Sequence, residues 1–164
     1  MPQLEAVSKS KHANHHWVPY THYHFAAADP FVILTVSEFQ KAAVAAPIVF
    51  RQMADSFQPV LLQGIENGKN LLVGPRGHWL GEYVPAYYRS HPFCLALNEN
   101  QQRVLCFHAD SEFVMAEVQE GSEARPFIKG AEWSGELSEV AQFLNAVDVN
   151  RQQTEKLMAL FQEL

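Results

Sequence analysis

The stretch of sequence on which the fold most depends runs from Pro47 to Phe93 and reads PIVFRQMADSFQPVLLQGIENGKNLLVGPRGHWLGEYVPAYYRSHPF. Short apolar runs alternate there with residues typical of tight turns. The pattern predicts strands at 48–51, 58–65, 70–73 and 78–81. Asn67-Gly68 is a hairpin signal because both residues tolerate positive φ. The stretch therefore predicts an antiparallel meander of three or four strands.

Elements on either side extend this sheet. Residues 31–36 form a β-branched run that predicts a strand, and Ser37 with Gln40 has the form of a capping box for a helix at 38–46. Pro85 favours a second helix at 84–91, because proline is tolerated in a first turn. A hairpin is predicted from 93–97 and 104–108, and residues 109–132 are acidic and glycine-bearing, which is typical of a surface loop.

The clearest helix is predicted at 136–163. Ser134 can cap it, and apolar residues recur at a spacing of three to four from Val140 to Phe161. Residues 1–16 are polar without any period and predict a flexible N-terminal arm. The sequence thus predicts one α+β domain over 17–164, with a mostly antiparallel sheet, short helices and a long C-terminal helix.

Composition limits the classes of function. The 164 residues carry a formal charge of −6, from 18 acidic and 12 basic side chains, and no basic stripe that would favour nucleic-acid binding. The first eleven residues are polar and lack the apolar segment of a signal peptide. No apolar run approaches the ~20 residues of a transmembrane helix. We therefore expect a cytoplasmic protein without a transmembrane segment.

Histidines are concentrated near the N-terminus, where five of the eight lie between positions 12 and 24. On an extended strand His22 and His24 would share one face about 7 Å apart, a spacing that suits two ligands of iron or zinc. A carboxylate, or His78, His91 or His108, could be a third ligand. The alternative is a set of histidines at the surface or packed on the sheet, with no cofactor.

Cys94 and Cys106 could face each other across the hairpin that joins 93–97 to 104–108. They would then be either a redox-active pair or two small buried core residues, since free cysteine behaves as a hydrophobe. No Cys-x-x-Cys motif accompanies them, and no motif of a phosphate loop, a nucleophile elbow or a metalloprotease is found.

Aromatic residues gather around the junction of the last predicted strand and the second helix. Trp79, Tyr83 and Tyr87 could line a groove for a ligand or protein partner, because Tyr and Trp are frequent at such surfaces. Arg76, Arg89 and His78 could supply polar contacts to it. The alternative is that the aromatic residues form the domain core and its rim.

An ordered set of short motifs resembles the SapC family of bacterial proteins. The motifs are His22-Tyr23-His24-Phe25-Ala26, Ser37-Glu38-Phe39, Pro47-Ile48-Val49-Phe50, Asn70-Leu71-Leu72-Val73, Gly77-His78-Trp79-Leu80, Tyr83-Val84-Pro85-Ala86 and His91-Pro92-Phe93. Family members commonly continue beyond the last helix, so this chain resembles a short form. The resemblance implies an accessory or protein-modification setting without catalytic residues that could be transferred to this chain.

Three functions are compatible with these observations. The first is a non-catalytic accessory or binding module that acts on a protein or small-molecule partner. The second is a metal-dependent enzyme or protein-modification component that uses His22 and His24. The third is a protein of surface-layer assembly or export. The apolar end of the C-terminal helix also predicts a protein partner or a homo-oligomer.

Overall fold

Short antiparallel strands and one long helix make up most of the regular structure in the computed structural model, which describes residues 3–54, 56–118 and 123–162. The strands are β1 Leu4–Ala6, β2 His16–Trp17, β3 Phe31–Ile33, β4 Ile48–Gln52, β5 Phe57–Leu62, β6 Phe93–Leu97, β7 Arg103–His108, β8 Val114–Met115, β9 Arg125–Pro126, β10 Ile128–Lys129 and β11 Glu132–Trp133. Every pair among them is antiparallel.

Helices are short except for the last. The α-helices are α1 Phe39–Ala42, α2 Ala86–Arg89 and α3 Gly135–Gln162, and 3₁₀ turns occupy His24–Ala26 and Val36–Glu38. The amide of Leu137 donates to the Ser134 hydroxyl, which caps α3 as the sequence predicts. The α+β class and the long C-terminal helix are thus confirmed.

The chain packs as two compact units, each built from separate stretches of sequence. The first contains the described residues of Met1–Tyr20 with Ser90–Asn145, and the second contains those of Thr21–Arg89 with Ala146–Leu164. Each unit has its own hydrophobic core.

In the first unit, the hairpin of β6 and β7 is extended by β1 into a three-stranded sheet. Aromatic side chains dominate its core: Phe93, Phe107 and Phe127 are almost completely buried, and the Phe127 ring lies 5.2 Å from each of the other two between centroids. The start of α3 covers this cluster with Leu137 and Leu144. The predicted hairpin at 93–108 is confirmed.

Two predictions for the first unit are wrong. Residues 4–6 pair with β7, and His12 is only 3% exposed, so this segment is part of the fold and not a flexible arm. Residues 109–132 contain strands and core side chains, including Phe127 at 0% exposure, so the predicted surface loop is also wrong. Their acidic composition obscured the isolated apolar residues that become buried.

In the second unit, β5 is the central strand of the order β3-β5-β4. Leu61 lies between Val32 and Ile48 in the register of the sheet, and this face packs on the core formed with Leu34 and Tyr88. The predicted meander is wrong beyond β5, because residues 63–80, all of which the structure describes, form turns with an isolated bridge between Val73 and Trp79 and contain no strand. The turn at Gly68 is confirmed by its φ of 74°.

The N-terminus of the first helix of this unit also differs from the prediction. The capping box is formed by Thr35 and Glu38, two residues before Ser37 and Gln40. The α-helix is limited to Phe39–Ala42, so the predicted helix at 38–46 is shortened. With this shift Glu38 is the buried acidic residue of the capping box.

We expect the first unit to lose stability on acidification below pH 6.5. Burial lowers the pKa of His15, helped by the nearby charge of His12 and opposed by Glu5, and burial also lowers the pKa of His108 against the effect of Asp110. Because the unfolded state binds protons first, starting at the ordinary value of 6.5, their contribution is complete above that pH and is lost as the pH falls below it.

Urea denaturation between pH 7.5 and pH 5 measures this loss. Replacing His15 and His108 together by glutamine should flatten the pH dependence, whereas Asn100→Ala, at an exposed position of the same unit without a titratable group, should leave it unchanged. An equally steep loss of stability in the double variant would contradict this assignment. In the second unit burial raises the pKa of Asp29, so this group contributes a slope of the opposite sign as the pH rises above its ordinary value of 3.8.

Candidate functional site

The candidate site lies in the second unit on the segment from Trp79 to Arg89. Tyr87 is 57% exposed on α2, whereas Tyr88 beside it is buried. The two rings make an edge-to-face contact with centroids 5.8 Å apart. An exposed aromatic side chain thus rests on one that is fixed in the core, which limits its freedom before any partner is bound.

Glu38 holds this segment in place. Its side chain is only 5% exposed, and its Oε1 accepts hydrogen bonds from the Ala86 amide and the Tyr83 hydroxyl, both at 2.8 Å. The other oxygen, Oε2, accepts from the amide and hydroxyl of Thr35, both at 2.9 Å. A buried carboxylate requires such donors. Glu38 therefore joins the start of α1 to the start of α2.

Tyr83 connects the Glu38 carboxylate to the surface. Burial and its hydrogen bond to Glu38 raise the pKa of Tyr83 to about 12, so its hydroxyl remains a donor at neutral pH. The Arg89 guanidinium lies 5.8 Å from the centroid of the Tyr83 ring and donates to its hydroxyl at 3.4 Å. Arg89 is exposed, so it provides positive charge two residues from Tyr87.

Trp79 is half-buried, and its side chain contacts other residues of the same unit. Its ring lies 5.2 Å from that of Tyr23 and 5.7 Å from that of Tyr88, and its indole N–H donates to the Tyr83 carbonyl at 2.9 Å. The indole donor is therefore used inside the protein. Of the three aromatic residues predicted for the groove, the structure leaves Tyr87 the most accessible.

Tyr88 is fixed by a buried polar cluster. Its hydroxyl lies 3.1 Å from Asp29 Oδ2 and 2.9 Å from Gln63 Oε1. Burial raises the pKa of Asp29, and the hydrogen bond that its carboxyl accepts from the Tyr88 hydroxyl acts against this shift. Burial also raises the pKa of Tyr88 above its usual range, so the phenol stays neutral.

Arg76 and His78 are exposed on the turn that precedes Trp79. Gly77 adopts a φ of 77° there, and its carbonyl accepts from the Tyr23 amide at 2.7 Å. The contacts found among the described residues do not join Arg76 or His78 to the Glu38 cluster. Their predicted role in binding stays a prediction, while Arg89 is the basic residue that contacts the site.

The structure brings His22 and His24 together, with ring centroids 4.8 Å apart. They lie in and just before a 3₁₀ turn, and not on the extended strand that the sequence predicts. Among the described residues no group of three or more His, Cys, Asp or Glu side chains is arranged to hold a metal ion. The iron or zinc site therefore stays a prediction that rests on these two histidines.

Cys94 and Cys106 face each other in the ladder of β6 and β7, as the sequence suggests. Both are free thiols. Burial, together with the neighbouring Cys106, raises the pKa of Cys94 to about 11, so its thiol stays protonated at neutral pH. A protonated thiol is a poor nucleophile.

Two residues that organise the site were missed in the sequence. Thr35 and Glu38 match the capping-box pattern of a hydroxyl residue followed three positions later by Glu, a signal that competed with Ser37 and Gln40. By contrast, the contact of Glu38 with Tyr83 and Ala86 joins positions 45 or more residues apart, so no local pattern reveals it.

None of the helices in the described part of the chain has the length and hydrophobicity that a bilayer crossing requires. No curated protein and no solved structure matches the chain. The family model of SapC matches residues 7–164, which is nearly the whole sequence and includes every residue of the candidate site. The chain therefore belongs to the SapC family.

Proposed function

We propose that this SapC-family protein is a non-catalytic binding module that captures a protein or small-molecule partner through Tyr87 and Arg89. The observation that carries the proposal is the exposure of Tyr87 on a short helix whose first residue is held by a buried carboxylate. Large apolar side chains are exposed in the same unit at Leu71 and Leu80.

The chemistry of the surface indicates what it would bind. Tyrosine offers a large apolar ring and a hydroxyl with little loss of side-chain entropy, and arginine offers a planar cation. A partner segment or small molecule with an aromatic or aliphatic group next to a negative charge would match both. Because α2 is already fixed by Glu38 and Tyr88, binding would not have to order it.

Tyr87→Ala tests the proposal. The protein is purified from the source organism, bound proteins and small molecules are identified in the same sample, and the purified pair is then titrated by calorimetry. We expect the variant to bind at least tenfold more weakly, which corresponds to about 1.4 kcal/mol. The fold should be unchanged, since the side chain is mostly in solvent.

Ile65→Ala is the matched control, because Ile65 is 89% exposed in the same unit. It should bind as the wild type does. Equal affinity of the wild type and Tyr87→Ala for the reconstituted partner would reject the role of this surface.

A further inference from the structure

A second surface of the same unit is the edge of β4 that faces away from β5 and pairs with no other strand among the residues that the structure describes. The amide of Leu62 donates to the Pro47 carbonyl at 2.9 Å, and the amide of Met53 donates to the Ser56 carbonyl at 2.7 Å. In an antiparallel ladder, alternate residues point their backbone groups to the same neighbour. Val49 and Arg51 therefore bond to β5, and Ile48, Phe50 and Gln52 direct their N–H and C=O groups away from it.

This edge is apolar and lacks the usual protection against pairing. Phe50 is 52% exposed, and Val49 and Met53 are exposed beside it. Natural edge strands are commonly blocked by lysine, proline or a bulge, none of which occurs within Ile48–Gln52. The one charge on the strand, Arg51, lies over the Phe31 ring at 4.7 Å.

The end of α3 enlarges the apolar area. The Phe161 ring lies 6.4 Å from that of Phe50, and Phe161 is itself exposed. Leu157, four residues before Phe161, and Leu160, one residue before it, are also exposed. Positions three and four apart share one face of a helix, so these side chains form an apolar strip that begins beside β4.

We propose that β4 pairs with β4 of a second copy of this chain, antiparallel about a two-fold axis at Phe50. The three outward-facing residues are symmetric about Phe50, so Phe50 would bond to Phe50 of the second copy and Ile48 to its Gln52. Val49 would face Arg51 of the second copy. The Arg51 side chains of the two copies are therefore not opposite each other. The two three-stranded sheets join into a single six-stranded sheet.

A second copy fits this edge better than an unrelated strand. The same register satisfies the outward donors and acceptors of both partners at once, because each chain offers the identical set. It also places Phe50, together with the apolar strip of Leu157, Leu160 and Phe161, against the same side chains of the other copy. The proposal does not depend on Tyr87, so its failure would leave the proposed function untouched.

Cysteine cross-linking of the full chain tests the register. Phe50→Cys should form a disulfide between two copies, since directly opposed residues lie about 5.5 Å apart at Cα and disulfides need about 4.4–6.8 Å. Val49→Cys alone should not cross-link, but a mixture of Val49→Cys and Arg51→Cys should. The wild type, with Cys94 half-buried and Cys106 buried, is the background control.

Light scattering measures the association independently of the disulfides. We expect a mass twice the 18.6 kDa of one chain. Phe50→Lys should raise the dissociation constant of the dimer at least tenfold, and Ile65→Lys should not change it. A monomer at every concentration, a dimer insensitive to Phe50→Lys, or a cross-link formed by Val49→Cys alone would each overturn the proposal.

Discussion

Replacing Glu38 by alanine is expected to lower the free energy of unfolding by about 3–5 kcal/mol. The carboxylate accepts four hydrogen bonds, from the Thr35 amide and hydroxyl, the Tyr83 hydroxyl and the Ala86 amide. Alanine leaves these donors without an acceptor at a site where the side chain is almost fully buried. Hydrogen bonds to charged groups are also the stronger kind.

Glu38→Gln separates the role of the carboxylate from that of side-chain volume. An amide has one acceptor oxygen, so its NH₂ group would face one of the two pairs of donors, and we expect a loss of roughly 2 kcal/mol. The exposed neighbour Glu82→Gln should change stability by less than about 0.5 kcal/mol. Equilibrium urea denaturation gives all three values, and a Glu38→Ala protein as stable as the wild type would disprove the anchoring role.

Replacing Phe127 by alanine in the first unit is expected to lower the free energy of unfolding by about 3–5 kcal/mol, which equilibrium urea denaturation also measures. Phe127 is 0% exposed, and its ring lies 5.2 Å from both Phe93 and Phe107. Truncation removes the contacts of a whole ring and leaves a cavity between them, because a close-packed core relaxes only in part.

Two substitutions in the same stretch control for this effect. Phe127→Leu keeps most of the apolar volume and should lose clearly less stability than the alanine variant. Lys129 is exposed two residues further on, so Lys129→Ala should be nearly neutral. A loss for Phe127→Ala no larger than that for Lys129→Ala would mean that residues 123–132 form the surface loop expected from their composition.

The elements that the sequence predicts well are those with local signals. The hairpin of β6 and β7 has two apolar runs around a polar turn, and α3 has a capping serine and a long apolar period. The N-terminal segment and residues 109–132 lack such signals. Their strands of two or three residues gain order from long-range pairing, such as Leu4 with His108, which composition does not reveal.

The candidate site, like the fold, is predictable where the sequence carries a local signal and not where it depends on packing. Trp79, Tyr83 and Tyr87 are predicted together because aromatic residues cluster in the sequence, but their exposure depends on packing. Trp79 turns inward because Tyr83 offers a carbonyl to its N–H, and only the folded chain shows this. The direct alignment of Cys94 with Cys106 was predicted, since a hairpin sets its own register.

The binding role of Tyr87 is tested most directly by photo-cross-linking in cells of the source organism. A photoreactive phenylalanine analogue is placed at position 87 or, as the matched control, at the exposed position 65. We predict that position 87 yields a discrete adduct with one partner, which mass spectrometry identifies, and that position 65 does not. No adduct at position 87, or the same adducts from both positions, would contradict a binding surface at Tyr87.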